Sequence, residues 1–345
     1  MSTGRVRCAI LGAGGYIGQQ FVRLLADHPR FALEELVSGD RSAGRRLGEL
    51  WRVDADPPRD WASERLRPRT PRQLAEDGIA LVFSALPSGR AGDVEDAFMR
   101  RGLSVFTNAA DHRSGPTARL LVPEVNGLAL RSARASPATI VANPNCTATG
   151  LALALAPIVP LLHPRTISVS SYQALSGAGL AGIDQLGRPP NVVPFIPGEE
   201  EKVRRETLRL LGTAVRGLDI QASCVRVPVR DGHLETVTLE SRRHPSADAL
   251  IQAWRGFDPL AGVDCPTAPH PPIVYRSEQD RPQPLLDLWA GSPPRARGMA
   301  VSVGRLRVEG RRVRFVLLLH NAVRGGAGGS VLNAEFLYAL RESRS

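Results

Sequence analysis

Short apolar runs alternate with amphipathic stretches along the first 145 positions of the chain. Four runs have the length of buried strands: residues 6–11, 33–37, 79–85 and 103–107. Between the first two runs, apolar residues recur at helical spacing, at Ile17, Phe21, Leu24 and Leu25. Strand–helix alternation of this kind predicts an α/β fold with a Rossmann-like, doubly wound parallel sheet.

Beyond residue 165 the pattern changes to strands joined by tight turns such as RDG and VEGRR. The strand candidates are residues 166–174, 225–229, 234–240, 299–308 and 313–320. Helices are predicted at residues 198–212, which begin with acidic residues and end in glycine, and at residues 329–343. We therefore expect a second, α+β domain with a largely antiparallel sheet, over residues 146–325. The first domain then covers residues 1–145 and is completed by a C-terminal helix at 326–345.

The composition narrows the class of protein. Hydrophobic residues make up 43% and charged residues 23% of the 345 positions, which is typical of a soluble globular protein. No apolar run approaches the ~18–20 residues of a membrane span. The N-terminal apolar run is followed by glycines and a polar helix, which indicates a strand rather than a signal peptide. These features predict a cytoplasmic protein without a membrane partner.

The net charge of +10 does not indicate a nucleic-acid partner. The arginines are spread along the chain, with no dense basic block and no interleaved aromatic residues. The cysteines stand far apart, at Cys8, Cys146, Cys224 and Cys265, without ligand spacing. Disulfides and a metal site are therefore not expected.

A glycine-rich stretch, LGAGGYIG, follows the first strand and precedes the first helix. Gly12, Gly15 and Gly18 provide the spacing of a dinucleotide loop, and Gly14 provides a second choice. Glycines let the backbone turn sharply and approach a pyrophosphate at a helix N-terminus. In this position the stretch favours a bound dinucleotide over an ordinary turn.

The end of the second strand, VSGDRSAGRR, is expected to select the cofactor. Asp40 could hold ribose hydroxyls, as in NAD-binding proteins. Arg41, Ser42 and Arg45 could instead bind the 2′-phosphate of NADP. We favour NADP and keep NAD as the alternative.

Cys146 has a different setting from the other cysteines. It follows the chain-breaking Pro144 and Asn145 and opens an apolar helix. The positive end of the helix dipole favours a thiolate at such a position. Cys8 and Cys224 lie in predicted strands, where a cysteine is usually a small buried hydrophobic residue.

Two further stretches carry charged and titratable candidates. Arg226 and His233 lie seven residues apart, across a strand and a turn, and a histidine near a thiol is the usual acid or base. Lys202, in GEEEKVRRE, is the only lysine, beside 43 arginines among the 44 basic residues. Lysine provides a compact ammonium group, which arginine does not replace where a point charge is needed.

Seven motifs occur in order from residue 6 to about residue 337: GAxGxxG, SALPS, NPNC, QALSGAG, PFIxxEEEK, RVPVxxGH and HNxxRGxAGxSVLNAE. Together they resemble aspartate-semialdehyde dehydrogenases, most closely the archaeal and fungal branch. Related N-acetyl-glutamyl-phosphate reductases share the fold and a cysteine, but EEEK and RVPVxxGH fit the aspartyl enzymes better.

The resemblance implies a role for each matching residue. The nucleophile would be Cys146, the acid/base His233, and Gln173 would orient the acyl group. The substrate contacts would be Arg226 to the carboxylate, Glu199 to the amino group, and Lys202 and Arg113 to phosphate. The cofactor contacts would be Gly12, Gly14, Gly15, Tyr16, Ile17, Gly18, Arg41, Ser42, Ser84, Leu86, Pro87, Gly177 and Asn321. Asn321 and residues 330–333 would approach the nicotinamide and the first domain.

The resemblance also implies the reaction and the partners. The enzyme would reduce L-aspartyl 4-phosphate to L-aspartate 4-semialdehyde with NADPH, through a thioester on the cysteine. Its partners would be an acyl phosphate or aldehyde, phosphate, and further copies of the chain in a dimer or tetramer.

Two positions and one segment depart from the family pattern. Gly14 replaces a threonine and Gly39 a serine near the cofactor, and residues 281–300 carry Leu285, Leu288 and a PPRAR-like insertion in place of a basic RPQPRLDR. Two alternatives follow: a paralogue with the same chemistry on another acyl phosphate or an acyl-CoA, and a non-catalytic NADP(H)-binding protein. The complete set of catalytic residues argues against the second.

Overall fold

A computed structural model describes residues 4–114, 118–130 and 136–343 of the chain. It contains two six-stranded sheets, one formed by the N-terminal half and one by the C-terminal half. The predicted fold class, an α/β protein with a Rossmann-like parallel sheet and a mostly antiparallel second sheet, is confirmed.

The first sheet is parallel at every pairing and has the strand order β2-β1-β3-β4-β6-β5. Its strands are β1 (Val6–Leu11), β2 (Phe31–Val37), β3 (Leu81–Ser84), β4 (Ser104–Thr107), β5 (Ala118–Leu120) and β6 (Ile140–Ala142). Cys8 and Ile10 of β1 join one apolar cluster, and Ala9 and Leu11 join another. Because both faces of the sheet are buried, the strands are continuous apolar runs in the sequence. The short strands β5 and β6 were not predicted.

The helices of this half pack on both faces of the sheet. They are α1 (Tyr16–Leu25), α2 (Leu47–Leu50), α3 (Arg59–Ala62), α4 (Pro71–Glu76), α5 (Ala91–Arg100) and α6 (Pro123–Asn126). The apolar side of α1 follows the predicted spacing, since Phe21, Leu24 and Leu25 are buried.

The second sheet has the order β10-β11-β12-β9-β7-β8. Its strands are β7 (Pro164–Gln173), β8 (Asp219–Arg226), β9 (His233–Ser241), β10 (Ile273–Arg276), β11 (Val301–Glu309) and β12 (Arg312–Leu319). The inner pairings are antiparallel, whereas the edge strands β8 and β10 run parallel to their neighbours. The bounds of the strand predicted at residues 225–229 were wrong, because β8 ends at Arg226 and the chain then turns toward His233. Strand β10 was not predicted.

The helices of the second half are α7 (Cys146–Leu155), α8 (Val159–Leu162), α9 (Leu180–Ile183), α10 (Glu199–Leu211), α11 (Ala247–Arg255), α12 (Pro284–Asp287) and α13 (Gly328–Glu342). Helix α13 returns to the first half of the chain and packs against α1 and β4. The last two positions of the predicted C-terminal helix, 344 and 345, lie outside the described residues.

A buried ion pair ties the C-terminal segment to the first half. Nη1 and Nη2 of Arg324 donate to the two carboxylate oxygens of Glu124 at 2.9 and 2.7 Å, and both side chains are 1% exposed. Arg324 lies in a π-helical turn, Val323–Ala327, that leads into α13. This pair therefore holds the turn whose Gly325 packs against Cys146.

Candidate active site

Cys146 is the first residue of α7, which begins four residues after β6 ends. Asn145 caps this helix, since its side-chain oxygen accepts the backbone N–H of Ala148 at 3.1 Å. The turn-then-helix position expected from the sequence is therefore present.

The cysteine lies in a cleft of about 310 Å³. Nine residues singled out in the sequence line it: Ile17, Arg113, Cys146, Gln173, Gly177, Glu199, Lys202, Arg226 and Asn321. These residues come from seven separate segments of the chain, so the folded structure brings together positions up to 304 residues apart, from Ile17 to Asn321.

The Cys146 thiol is not activated in the unliganded cleft. Burial, and to a smaller extent the carboxylate of Glu199, raise its pKa to about 12. Arg113, the backbone N–H of Thr147 and Arg226 act in the opposite direction but do not outweigh burial. The expectation that the helix N-terminus alone favours the thiolate was therefore wrong for the free protein.

Helix α10 supports the start of α7 with a carboxylate that sequence reasoning missed. Oε2 of Glu206 accepts the backbone N–H of Asn145 at 2.6 Å, and its Oε1 lies 3.5 Å from Nη1 of Arg113. Glu206 is 1% exposed. Its spacing was a usable signal, because Glu206 follows Glu199 by two helical turns and faces the same side.

Glu199 contacts Asn145 and two of the predicted site residues, Gln173 and Lys202. Its Oε1 accepts from Nδ2 of Asn145 at 2.7 Å and from Nε2 of Gln173 at 3.2 Å. Its Oε2 lies 3.8 Å from Nζ of Lys202, whose side chain is 35% exposed. Nε2 of Gln173 also donates to Thr147 at 3.0 Å, so the amide is held beside the first turn of α7.

Two arginines bring positive charge to the cleft from opposite sides. Nη1 of Arg226 donates to the carbonyl of Ala174 at 2.8 Å, and Arg226 makes no ion pair within the described residues. Burial lowers its pKa. Arg113 donates to the carbonyl of Asn108 at 2.8 Å and is otherwise balanced by Glu206. The guanidinium of Arg226 is thus available for an anionic ligand.

His233 is fully buried behind Gly177 rather than exposed in the cleft. Its Nδ1 accepts the backbone N–H of Ala174 at 3.1 Å, while its Nε2 has no partner in the described structure. Burial, and to a smaller extent the positive charge of Arg226, lower its pKa to about 3. The imidazole is therefore neutral, and because Nδ1 accepts a hydrogen bond, the ring proton sits on Nε2.

Glycines bring the backbone close to these groups. A Cβ at Gly177 would lie 2.6 Å from Nη1 of Arg226 and 3.2 Å from Nε2 of His233. A Cβ at Gly325 would lie 2.5 Å from Cβ of Cys146. A side chain at Gly325 would meet the backbone of Cys146, so glycine is required there and the turn after β12 packs directly on the cysteine, whereas one at Gly177 would displace the guanidinium of Arg226.

Asn321, just after β12, links the histidine turn to the loop that contains Gly177. Its Oδ1 accepts the backbone N–H of Gly232 at 2.8 Å, and its Nδ2 donates to Ser176 at 2.8 Å. By contrast, residues 330–333 are buried outside the cleft lining, where Ser330 accepts from Asn108 and Asn333 donates to the carbonyl of Leu121.

A second cleft of about 510 Å³ lies along the glycine-rich loop. Seven of the predicted cofactor residues line it: Gly12, Gly14, Gly15, Arg41, Ser42, Leu86 and Pro87. A Cβ at Gly12, whose φ is +78°, would lie 2.9 Å from the carbonyl oxygen of Ala85, so glycine is required. Arg41 makes no ion pair within the described residues, whereas Arg45 pairs with Glu49 at 3.8 Å and does not line the cleft.

The residues present fit a dinucleotide. The ten-residue helix α1 begins directly after the glycine loop, and its N-terminus offers free N–H groups to a pyrophosphate. Arg69 and Arg90, which sequence reasoning missed, also line the cleft.

The other cofactor candidates are placed elsewhere. Ser84 is buried and donates to Glu95 at 2.5 Å, and a Cβ at Gly18 would lie 2.2 Å from the carbonyl oxygen of Gly12. Tyr16 is 2% exposed and donates from its hydroxyl to Asp231 at 2.9 Å. None of these three residues lines the dinucleotide cleft. Gly18 allows α1 to pack closely against the glycine loop, and the hydroxyl of Tyr16 links the first half of the chain to Asp231 in the second half.

A parallel sheet with a dinucleotide cleft, joined to a domain that places a cysteine beside basic and acidic groups, defines a dinucleotide-dependent oxidoreductase. Comparison with known proteins gives the family. The model described as "Semialdehyde dehydrogenase, NAD binding domain" matches residues 7–133, and "Semialdehyde dehydrogenase, dimerisation domain" matches residues 155–324. The chain belongs to the semialdehyde dehydrogenase family.

Curated relatives match nearly the whole chain. The aspartate-semialdehyde dehydrogenase of Archaeoglobus fulgidus is 41% identical, over 96% of this chain and 98% of that protein. The malonyl CoA reductase (NADP) of Metallosphaera sedula is 35% identical, over 96% of each. The expected resemblance to the archaeal and fungal enzymes is therefore confirmed.

Among solved structures, the aspartate semialdehyde dehydrogenase of Candida albicans with NADP superposes with a TM-score of 0.84 at 31% identity. The match covers 98% of this chain and 99% of that one. None of the helices in the described residues is long and apolar enough to cross a membrane.

Proposed function

We propose that this protein catalyses the NADPH-dependent reductive dephosphorylation of L-aspartyl 4-phosphate to L-aspartate 4-semialdehyde, reversibly and through a thioester on Cys146. The observation that carries the proposal is the placement of Cys146 in one cleft with the free guanidinium of Arg226 and the pair Glu199–Lys202. Together these charges complement a carboxylate, an ammonium group and a phosphate.

The substrate contacts follow from which groups have free bonding capacity. Arg226 has no acidic partner in the described structure and is suited to the α-carboxylate. Oε2 of Glu199 is 3.8 Å from Lys202 and can accept from the α-ammonium group. Lys202 and Arg113 then remain for the phosphate, which must bind and leave during each turnover.

The raised pKa of Cys146 requires that its proton leaves during acyl transfer. We infer that a phosphate oxygen of the substrate accepts this proton as the S–C bond forms and the C–O bond breaks. The products are the thioester and hydrogen phosphate, so the step balances without another base. Arg113 and Arg226 stabilise the developing thiolate by their positive charge.

His233 serves the second half of the reaction. When bound, the reduced nicotinamide supplies the hydride for the acyl carbon. As that carbon becomes tetrahedral, its oxygen gains negative charge, and Nε2–H of His233 donates the proton to it. The same nitrogen takes the proton back when the C–S bond breaks and the aldehyde leaves.

The cofactor would lie along the glycine loop, with Gly12, Gly14 and Gly15 at the pyrophosphate and Leu86 and Pro87 against the nucleotide. The unpaired guanidinium of Arg41, beside Ser42, supports NADP over NAD. Of Asp40, the alternative NAD determinant, the side chain lies outside the described residues.

We further propose the domain division expected from the sequence, with residues 1–145 and the C-terminal helix as the cofactor domain and residues 146–325 as the catalytic domain. The packing of α13 on α1 and β4 supports it. The open face of the second sheet carries partly exposed Thr166, Ser168 and Thr238 and is the proposed dimer surface. Light scattering that gives the mass of a stable active monomer would remove this assignment.

The first experiment is reverse turnover with aspartate semialdehyde, phosphate and NADP+ or NAD+, followed by absorbance of the reduced cofactor. Phosphate-dependent reduction that disappears in Cys146→Ala is expected, faster with NADP+. Binding of NADPH without turnover would overturn the aspartyl substrate and favour another acyl group, such as the malonyl thioester used by the Metallosphaera relative.

A further inference from the structure

A third cleft, of about 450 Å³, lies between α1 and the segment 289–297 that departs from the family pattern. It shares no lining residue with the catalytic cleft or with the dinucleotide cleft. The PPRAR insertion therefore has a defined place: Pro294, Arg295 and Arg297 form one wall of this cleft.

Six Asp and Arg side chains line its walls, and three of them, Asp27, Arg295 and Asp231, have charged partners, whereas the carboxylate of Asp54 has none within the described residues. Nη2 of Arg295 lies 3.2 Å from Oδ2 of Asp27. Asp231 accepts from the hydroxyl of Tyr16 at 2.9 Å and lies 3.6 Å from Nε of Arg230. These contacts leave the guanidinium groups of two other arginines, Arg23 and Arg297, without acidic partners.

Arg23 projects from α1 over the ring of Trp289, with 5.1 Å between its Cζ and the ring centroid. Its Nε donates to Gln20 at 3.0 Å, but its Nη2 is buried and has no hydrogen-bond partner in the described structure. An unpaired buried guanidinium nitrogen is costly and normally has a ligand.

Arg297 adds a second positive charge to the same cleft. It is exposed and makes no ion pair and no side-chain hydrogen bond within the described residues. Burial lowers the pKa of Arg23, the nearby Tyr16 and Asp231 act in the opposite direction, and the positive charge of Arg297 lowers it, so Asp231 offsets part of the repulsion between the two arginines. The repulsion ends when an anion binds between them.

A buried imidazole lies beside the arginines. His320 lines the cleft, is 1% exposed, and packs edge-on against Trp289 with 4.6 Å between ring centroids. Its Nδ1 is buried without a partner. The cleft therefore contains two buried nitrogen atoms without a hydrogen-bond partner, Nη2 of Arg23 and Nδ1 of His320.

We propose that this cleft is a binding site for a phosphoryl group, held between the guanidinium groups of Arg23 and Arg297. Two monocations match a dianion, whereas a single carboxylate would satisfy only one of them. The ligand is free phosphate or the phosphoryl group of a small monoester. The inference does not rest on the proposed reaction, since no catalytic residue takes part.

Fluorine NMR of the full chain labelled with 5-fluorotryptophan tests the proposal, because Trp289 is one of only four tryptophans. Its resonance is assigned with Trp289→Phe. Inorganic phosphate is titrated at constant ionic strength, and glycerol 2-phosphate in a second series distinguishes a monoester from the free ion. A saturable shift of the Trp289 resonance is expected with at least one of them.

The variants locate the binding. Arg297→Gln and, independently, Arg23→Gln should each raise the Kd about tenfold or more, since each removes a charge-assisted contact. Arg295→Gln is the matched control, because Arg295 is already paired with Asp27, and it should leave the Kd nearly unchanged. The Trp254 resonance, from a buried residue far from this wall, reports folding in every variant.

A shift that persists in Lys202→Met shows that the response does not come from phosphate in the catalytic cleft. The proposal is overturned if the Trp289 resonance does not shift saturably with either probe. It is also overturned if Arg297→Gln and Arg23→Gln, both folded, bind as tightly as the parent protein.

Discussion

The carboxylate of Glu206 accepts the backbone N–H of Asn145 at 2.6 Å, immediately before the cysteine that opens α7. The two residues are 61 positions apart in the chain. Through this contact, helix α10 sets the start of helix α7 and therefore the position of the Cys146 thiol. The same carboxylate lies 3.5 Å from Arg113, so one side chain contacts both the residue before Cys146 and the proposed phosphate-binding arginine.

Glu206→Ala should therefore impair both stability and turnover. It leaves a buried N–H without a partner and the Arg113 guanidinium without an acidic partner, which should lower the free energy of unfolding by about 3 kcal/mol in urea titrations. Glu206→Gln keeps an acceptor for Asn145 and should recover most of kcat. Glu201→Gln, on the exposed side of the same helix, is the control. Equal kcat for the Ala and Gln variants would contradict a positioning role.

Lys202→Arg should severely reduce phosphate-dependent turnover and leave the fold intact. The ammonium group lies 3.8 Å from Glu199 in the cleft, and the larger planar guanidinium cannot occupy the same position. Reverse turnover as a function of phosphate concentration measures the effect, with circular dichroism as the folding check. Arg204→Lys, two residues further along the same helix and paired with Glu201, makes the opposite exchange and should be neutral. Near-normal activity of Lys202→Arg would mean that the single lysine has no special role.

The free Cys146 thiol should be alkylated slowly near neutral pH. Because its pKa is about 12, the rate with iodoacetamide should rise about tenfold per pH unit from about pH 7 to pH 10, without a plateau. Glu199→Gln removes a negative charge that raises this pKa, so alkylation at a fixed pH should become faster. A plateau below about pH 8 in the parent protein would show an activated thiolate instead.

The buried histidines should make the fold sensitive to acid. Burial lowers the pKa of His320 from 6.5 to about 3, so the folded state stays neutral while the unfolded chain takes up a proton. Its contribution to stability is complete above pH 6.5 and is lost as the pH falls from 6.5 toward 3. His320→Gln should reduce the slope of unfolding free energy against pH by about 1.4 kcal/mol per unit in that window. An unchanged slope in urea titrations from pH 6.5 to pH 4 would contradict a neutral buried His320.

Arg324 and Glu124 should behave as a coupled pair. Arg324→Met leaves an uncompensated carboxylate in an interior where both partners are 1% exposed, at a cost of about 3–5 kcal/mol. The double variant Arg324→Met/Glu124→Leu removes both charges and should recover much of that loss. A double variant less stable than Arg324→Met in a double-mutant cycle would show that the charges themselves hold the turn at Cys146.

The features that sequence reasoning predicted depend on near neighbours in the chain. The apolar periods of α1 and the buried strands, the glycine loop, and the helix that opens at Cys146 each arise from backbone preferences within a few residues. Arg226 and His233 could be identified as candidates for the same reason, because they lie seven residues apart across a strand and a turn. The role of Gln173 followed only from the resemblance to the family.

Tertiary packing decided what these residues can do. Burial behind Gly177 makes His233 a neutral donor, and burial of Cys146 raises a pKa that the helix N-terminus alone would lower. The Glu206–Asn145 bond and the arginine-lined third cleft join segments that are far apart in the chain. Desolvation and long-range contacts depend on how helices and sheets pack together, and a local pattern of residues does not record that packing.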